Sequence, residues 1–213
     1  MMDTPVFALS EENIKKISGL LARGKVMILP ASTIYGISCI IDDAKAIKRI
    51  FDIKKRKETK PFIVLISNTS QLDCVIKRPD DTRGAFIKAL WQKDEPDQVT
   101  LILDRAENIS SYLSAGSDKI AVRMEKDKTL RKIIDITGPV VSTSATVSGS
   151  NVVPKDIKDI PEKIKQSVDA VVESKKELEG LPSTILDFQE NRPLLIREGM
   201  VKLLDILEKV KID

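Results

Sequence analysis

Between Ile53 and Pro61 the chain places five cations in seven residues, Lys54, Lys55, Arg56, Lys57 and Lys60. The cluster falls where the helical pattern of Ala44 to Phe51, with Ile47, Ile50 and Phe51 on one face, gives way to a strand-like run from Phe62 to Ser67. Guanidinium forks and ammonium points held at such a junction suit a ligand with several anionic oxygens, phosphate or carboxylate. An isolated basic run is more often a solvated loop, so its meaning depends on what accompanies it.

Four further stretches accompany it. Pro30-Ala31-Ser32-Thr33-Ile34-Tyr35-Gly36 leaves an apolar strand with two hydroxyls and a tyrosine, at the kind of strand end where ligands meet sheets. Ser142-Thr143-Ser144-Ala145-Thr146-Val147-Ser148-Gly149 is a hydroxyl-rich turn after another apolar run, able to aim hydroxyls and amides at phosphate or magnesium. Pro182-Ser183-Thr184-Ile185-Leu186-Asp187 and Leu195-Ile196-Arg197-Glu198-Gly199 each put a polar residue at the end of an apolar strand. Taken singly, each stretch reads as an ordinary capped turn or a surface charge.

The rest of the inventory narrows the chemistry. The 213 residues contain no histidine and two cysteines, Cys39 and Cys74. This excludes Ser-His-Asp and Cys-His catalysis, the usual zinc sites and a disulfide framework, and no metal ligands are expected from the protein. Cations, hydroxyls, carboxylates and backbone amides remain, with magnesium as a companion. That set suits phosphoryl or nucleotidyl transfer, which needs positioning and charge neutralisation more than a titrating base. The nine glycines form no phosphate-binding loop of the familiar kinds. Net charge is only +3, so affinity for a polyanion must be local. No signal segment or membrane span is evident, and a cytoplasmic protein without membrane contact is expected.

The elements that must position these residues alternate along the chain. Ser10, Glu11 and Glu12 can open a helix carrying Ile14, Ile17, Leu20 and Leu21, with Gly24 to end it. Strands are expected at Val26 to Leu29, Gly36 to Ile40, Val99 to Leu103, Ile120 to Met124, Val140 to Ser142, Ala170 to Glu173, Thr184 to Phe188 and Leu194 to Arg197. Asp42 and Asp43, Asp80 and Asp81, and Asp127 stand where three helices need caps, and Pro161 suits the first turn of another. A last helix over 203–211 is expected to dock through Leu203, Leu204, Leu207 and Val210. The expectation is one α/β (α+β) domain over 1–213, a twisted mixed parallel and antiparallel sheet with flanking helices.

In this order the motifs resemble those of the YrdC-like family, the threonylcarbamoyl-adenylate synthases that begin a tRNA modification. The family pattern P-T-D-T-x-Y-G is met by Pro30, Thr33, Tyr35 and Gly36, and K-x-R with K-P by Lys54, Arg56, Lys60 and Pro61. V-R is met by Val122 and Arg123, S-A-N-x-S-G by Ser144, Ala145, Ser148 and Gly149, S-T by Ser183 and Thr184, and R-x-G by Arg197 and Gly199. The resemblance implies a basic concave cavity in which L-threonine, bicarbonate or carbon dioxide, and ATP are joined with release of pyrophosphate. It further implies Lys54 and Arg56 as catalytic cations, Lys60, Ser142, Ser144 and Arg197 at the nucleotide, and Thr33, Tyr35, Arg123 and Ser183 at threonine. It also implies tRNA and the downstream threonylcarbamoyl transferase machinery as partners.

The chain departs from the pattern at Ala31-Ser32, where the family has T-D, at Thr146, where it has Asn, and at Glu125, where it has the Pro of V-R-x-P. The Trp91 to Thr100 connection is also longer than the family's. These departures suit either a synthase or a divergent YciO-like protein that binds RNA or nucleotide through the same surface without turnover. The scarcity of aromatic residues speaks against single-strand RNA readout, which relies on stacking.

Overall fold

The computed structural model describes residues 4–54, 61–147, 149–150, 152–189 and 192–210. Among the described residues there are ten strands: β1 (Val6–Ala8), β2 (Met27–Pro30), β3 (Tyr35–Ile40), β4 (Ile63–Ile66), β5 (Val99–Asp104), β6 (Lys119–Met124), β7 (Val140–Ser144), β8 (Ala170–Glu173), β9 (Thr184–Gln189) and β10 (Arg192–Arg197). They form one sheet in the order β1-β8-β2-β3-β7-β4-β6-β5-β9-β10. The β1–β8, β8–β2, β4–β6 and β5–β9 pairs are parallel and the others antiparallel, so the expected mixed sheet is what the sequence builds. The helices are α1 (Ile14–Ala22), α2 (Ala44–Lys54), α3 (Asp81–Trp91), α4 (Lys128–Thr137), α5 (Glu162–Lys165) and α6 (Leu203–Val210).

Strand alternation splits the core in two. Val26, Ile28, Val64, Ile66, Val141 and Val171 face a layer containing α2, α3 and α6. Their neighbours Met27, Leu29, Leu65, Val140, Ala170 and Val172 face α1 and α4, which contribute Ile14, Ile17, Leu21, Leu130, Ile133 and Ile134. Apolar runs such as Met27–Pro30 are therefore continuous because both faces of the central strands are covered.

Helix starts follow the acidic caps. Asp43, Asp80 and Asp127 accept hydrogen bonds from the backbone amides of Ala46, Arg83 and Leu130 at 2.9, 2.8 and 2.8 Å. The start expected at Ser10 shifts: a 3-10 turn, Glu11–Asn13, comes first and α1 begins at Ile14. The Ser10 hydroxyl accepts from the Asn13 side-chain amide rather than from a helix amide. The stripe expected on α6 is also corrected. Ile206 is its buried residue, with Leu203, Leu207 and Val210 packed around it, while Leu204 is 73% exposed. Positions 203, 206, 207 and 210 are the i, i+3, i+4, i+7 set, and 204 lies off it.

Candidate active site

The face of the sheet that packs α1 and α4 continues, beyond α4, as the floor of an open cavity. Register shows which side chains share that floor: Ser142 pairs with Ile63, Leu65 with Arg123, and Ala121 with both Ile63 and Ile102. All of them line a cavity of about 390 Å³, together with Thr33, Lys54, Ser144, Ser183 and Arg197. Crossing the sheet, the same face keeps an apolar floor and gains polar and cationic groups where it is open.

Each polar group is held by the fold. Arg123 is 4% exposed and donates from Nη1 to the Thr33 hydroxyl at 2.9 Å. Burial pulls its guanidinium below the ordinary arginine range, the carboxylate of Glu125 opposes this, and Arg197 adds to the lowering. The Ser183 hydroxyl meets that of Thr100 at 2.8 Å. Arg197 donates from Nε and Nη2 to the Ser183 carbonyl at 3.3 and 2.9 Å, and partial burial lowers its pKa as well. The R-x-G spacing has a steric reason: a Cβ on Gly199 would lie 2.1 Å from the Pro182 carbonyl oxygen and 2.7 Å from that of Ser183. The 197–201 segment is further tied to Thr184, whose hydroxyl accepts from the Gly199 amide at 2.9 Å.

The turn after β7 is built around Lys54. This last residue of α2 is buried, and its ammonium donates to the carbonyls of Ser144 and Thr146 and, at 3.3 Å, to the Ser144 hydroxyl. The Ser144 and Thr146 hydroxyls lie 3.1 Å apart, and the Ser142 hydroxyl accepts from Ser38 at 3.0 Å. Gly36 allows this packing, because a Cβ there would fall 2.2 Å from the Ser142 oxygen.

Lys54, Thr33, Arg123, Ser142, Ser144, Ser183 and Arg197 are thus brought together from distant parts of the chain. Tyr35 is not among the lining residues. It is buried, its hydroxyl accepts from the Ser174 amide at 2.9 Å, and burial raises its pKa. Arg56, Lys60 and Ser148 lie outside the described residues. Sequence reasoning passed over the apolar floor of Ile63, Leu65, Ile102 and Ile185, which looks like any strand core, and Thr100, whose only signal is a hydroxyl inside an apolar run.

Among the described lining residues Lys54, Arg123 and Arg197 are cations and none is a carboxylate. No group of acidic, cysteine or histidine side chains suited to a metal occurs among the described residues. A divalent ion could meet only hydroxyls and carbonyls at this wall, so it would have to arrive with an anionic ligand. No helix of the described residues is long and apolar enough to cross a membrane.

Known proteins share this fold. The profile of the Sua5/YciO/YrdC family, described as "Telomere recombination", matches residues 19–199. A threonylcarbamoyl-AMP synthase of Pyrococcus abyssi is 29% identical over 95% of this chain and 58% of its own length. A putative threonylcarbamoyl-AMP synthase of Methanocaldococcus jannaschii is 26% identical over 93% of each chain. P. abyssi Sua5 complexed with L-threonine superposes with a TM-score of 0.86 at 27% identity, over 98% of this chain and 60% of that one. Escherichia coli YciO, at 22% identity, shares the fold with a TM-score of 0.83 over 97% of this chain and 100% of its own. The chain thus spans well under two thirds of the Pyrococcus relative and the full length of YciO.

Proposed function

The chain belongs to the Sua5/YciO/YrdC family, and we propose that it is a cytoplasmic L-threonylcarbamoyl-adenylate synthase. The observation that carries this reading is the cavity wall with cationic Lys54, Arg123 and Arg197, neighbouring hydroxyls and no described carboxylate, in a chain whose total charge is nearly balanced. Such a wall offsets the charge of a carbamate and a triphosphate held together, a pairing that bulk water would only screen.

In this reading the neutral amine of threonine adds to carbon dioxide, supplied as such or by bicarbonate with loss of water, and gives up one proton to solvent to form a carbamate. A carbamate oxygen attacks the α-phosphorus of ATP, the bond to the β-phosphate bridging oxygen breaks, and pyrophosphate leaves. Thr33, Arg123 and Ser183 hold the threonine end. Arg197, Ser142 and Ser144 hold the nucleotide, with Arg56 and Lys60 assigned from the sequence motifs. Lys54 acts through its field and by fixing the Ser144–Thr146 turn, since its ammonium already donates to that turn. Magnesium carried by ATP would meet the hydroxyls of Ser142 and Ser144 and would offset phosphate charge. The product supplies a transferase acting on tRNA.

The test is pyrophosphate release from ATP with L-threonine and bicarbonate, each omitted in turn, with mass detection of the adenylate. Release that requires all three is expected. No release, together with RNA binding that is steeply screened by salt, would instead favour an RNA-binding module without turnover.

A further inference from the structure

Glu125 belongs to none of the matched motifs, follows the end of β6, and has no exposed surface. Its Oε1 accepts from the backbone amides of Ser32, Lys126 and Asp127 at 3.1, 2.8 and 3.0 Å, and also from the Ser32 hydroxyl. Its Oε2 has no hydrogen-bond partner and faces Nη2 of Arg123 at 3.8 Å. Arg123 in turn donates to Thr33, and its Nε is without a partner. One carboxylate therefore connects the 31–33 loop, the backbone leading into α4 and the guanidinium on the cavity floor.

Stability alone explains this poorly. A buried ion pair is commonly replaced by apolar side chains at no cost, and unsatisfied atoms such as Oε2 and Nε make this one weaker still. What the arrangement does provide is direction, because Arg123 and Thr33 are both referred to one fixed charge. The two positions also explain each other. Ser32 stands where the family pattern has a carboxylate and Glu125 where it has proline, and here they touch, so a carboxylate reaches this contact from the other side.

We propose that Glu125 is a positioning residue that sets the guanidinium of Arg123 and the Thr33 hydroxyl toward the carboxylate of the amino-acid substrate. The proposal rests on the functional reading above for the identity of that substrate. E125Q separates its two jobs: the amide oxygen can still accept from the three backbone amides, but no charge faces Arg123.

The experiment titrates L-threonine and, separately, ATP into parent and E125Q by calorimetry. It also follows the Arg123 Nε–H signal by NMR, assigned with R123K. Threonine binding is expected to weaken tenfold or more while ATP binding stays within twofold, and the Arg123 signal should broaden or disappear. E125D, with its charge one methylene short, should fall between parent and E125Q and serves alone if E125Q does not fold. Threonine affinity within twofold of the parent in these variants, or equal loss of both ligands with a falling melting temperature, overturns the proposal. If the parent binds threonine but releases no pyrophosphate, the synthase reading fails and the affinities still decide the role of Glu125. If the parent does not bind threonine, the Arg123 signal decides it, and an unchanged signal in E125Q overturns it.

Discussion

At the scale of single residues, the ammonium of Lys54 is committed to the carbonyls of Ser144 and Thr146 inside the fold. Lys54→Met keeps the packing of the stem but leaves those acceptors without their donor, at a cost of about 2–4 kcal/mol. Lys45→Met, on the exposed face of the same helix, should stay within about 0.5 kcal/mol. Chemical denaturation of the two variants checks this, and equal effects would show that the buried contacts contribute nothing. Gly199→Ala forces a methyl into the Pro182–Ser183 backbone, which cannot give way as a side-chain tip could. A stability loss of about 1–3 kcal/mol is expected, with weaker ATP binding as Arg197 is displaced from the Ser183 carbonyl. The sequence marks Lys54, Arg197 and Gly199 as candidates but does not reveal these contacts. The partners of Lys54 lie 90 and 92 residues away, and a lysine in a basic run looks solvated until its acceptors are known.

At the scale of elements, patterning finds most of the strands and helices because their apolar faces are periodic and their caps acidic. It fails where tertiary pairing decides. β1 has a mostly exposed three-residue pattern and exists as a strand because it adds in parallel to β8. Pro193, which would argue against a central strand, lies in β10 at the edge of the sheet. On α6 the apolar residues are numerous enough to suggest a stripe that shares Leu203, Leu207 and Val210 with the true one but takes Leu204 in place of Ile206. Ile206→Ala should therefore cost about 2–4 kcal/mol as a buried truncation, whereas Leu204→Ala should change stability by less than about 0.5 kcal/mol. Thermal and denaturant unfolding of both variants measure this difference. A larger loss at Leu204 would mean that the helix docks through another face.

At the scale of the whole molecule, the order of ten strands is not legible in the chain, because pairings such as β3 with β7 join segments about a hundred residues apart. The motif order carries the family, and the family carries the fold. Charge separates the remaining readings: 35 basic and 32 acidic residues nearly cancel, while the described cavity wall is cationic only. A polyphosphate held there meets a few partly buried cations, which salt screens weakly, whereas RNA spread over the surface would lose affinity as counterions return. Raising salt from about 50 to 200 mM should thus weaken ATP binding by about tenfold or less, against the roughly thousandfold or greater loss typical of a protein making many phosphate contacts. Arg197→Ala should weaken ATP and inorganic pyrophosphate binding by about one decade, as expected for one charge-assisted hydrogen bond. Lys163→Ala, on the exposed side of α5, should leave both affinities unchanged. Calorimetry across the salt series distinguishes the cases. Steep salt loss for ATP with comparable effects from Arg197 and Lys163 would mean that the anion is held by the general surface and that the cavity is not its site.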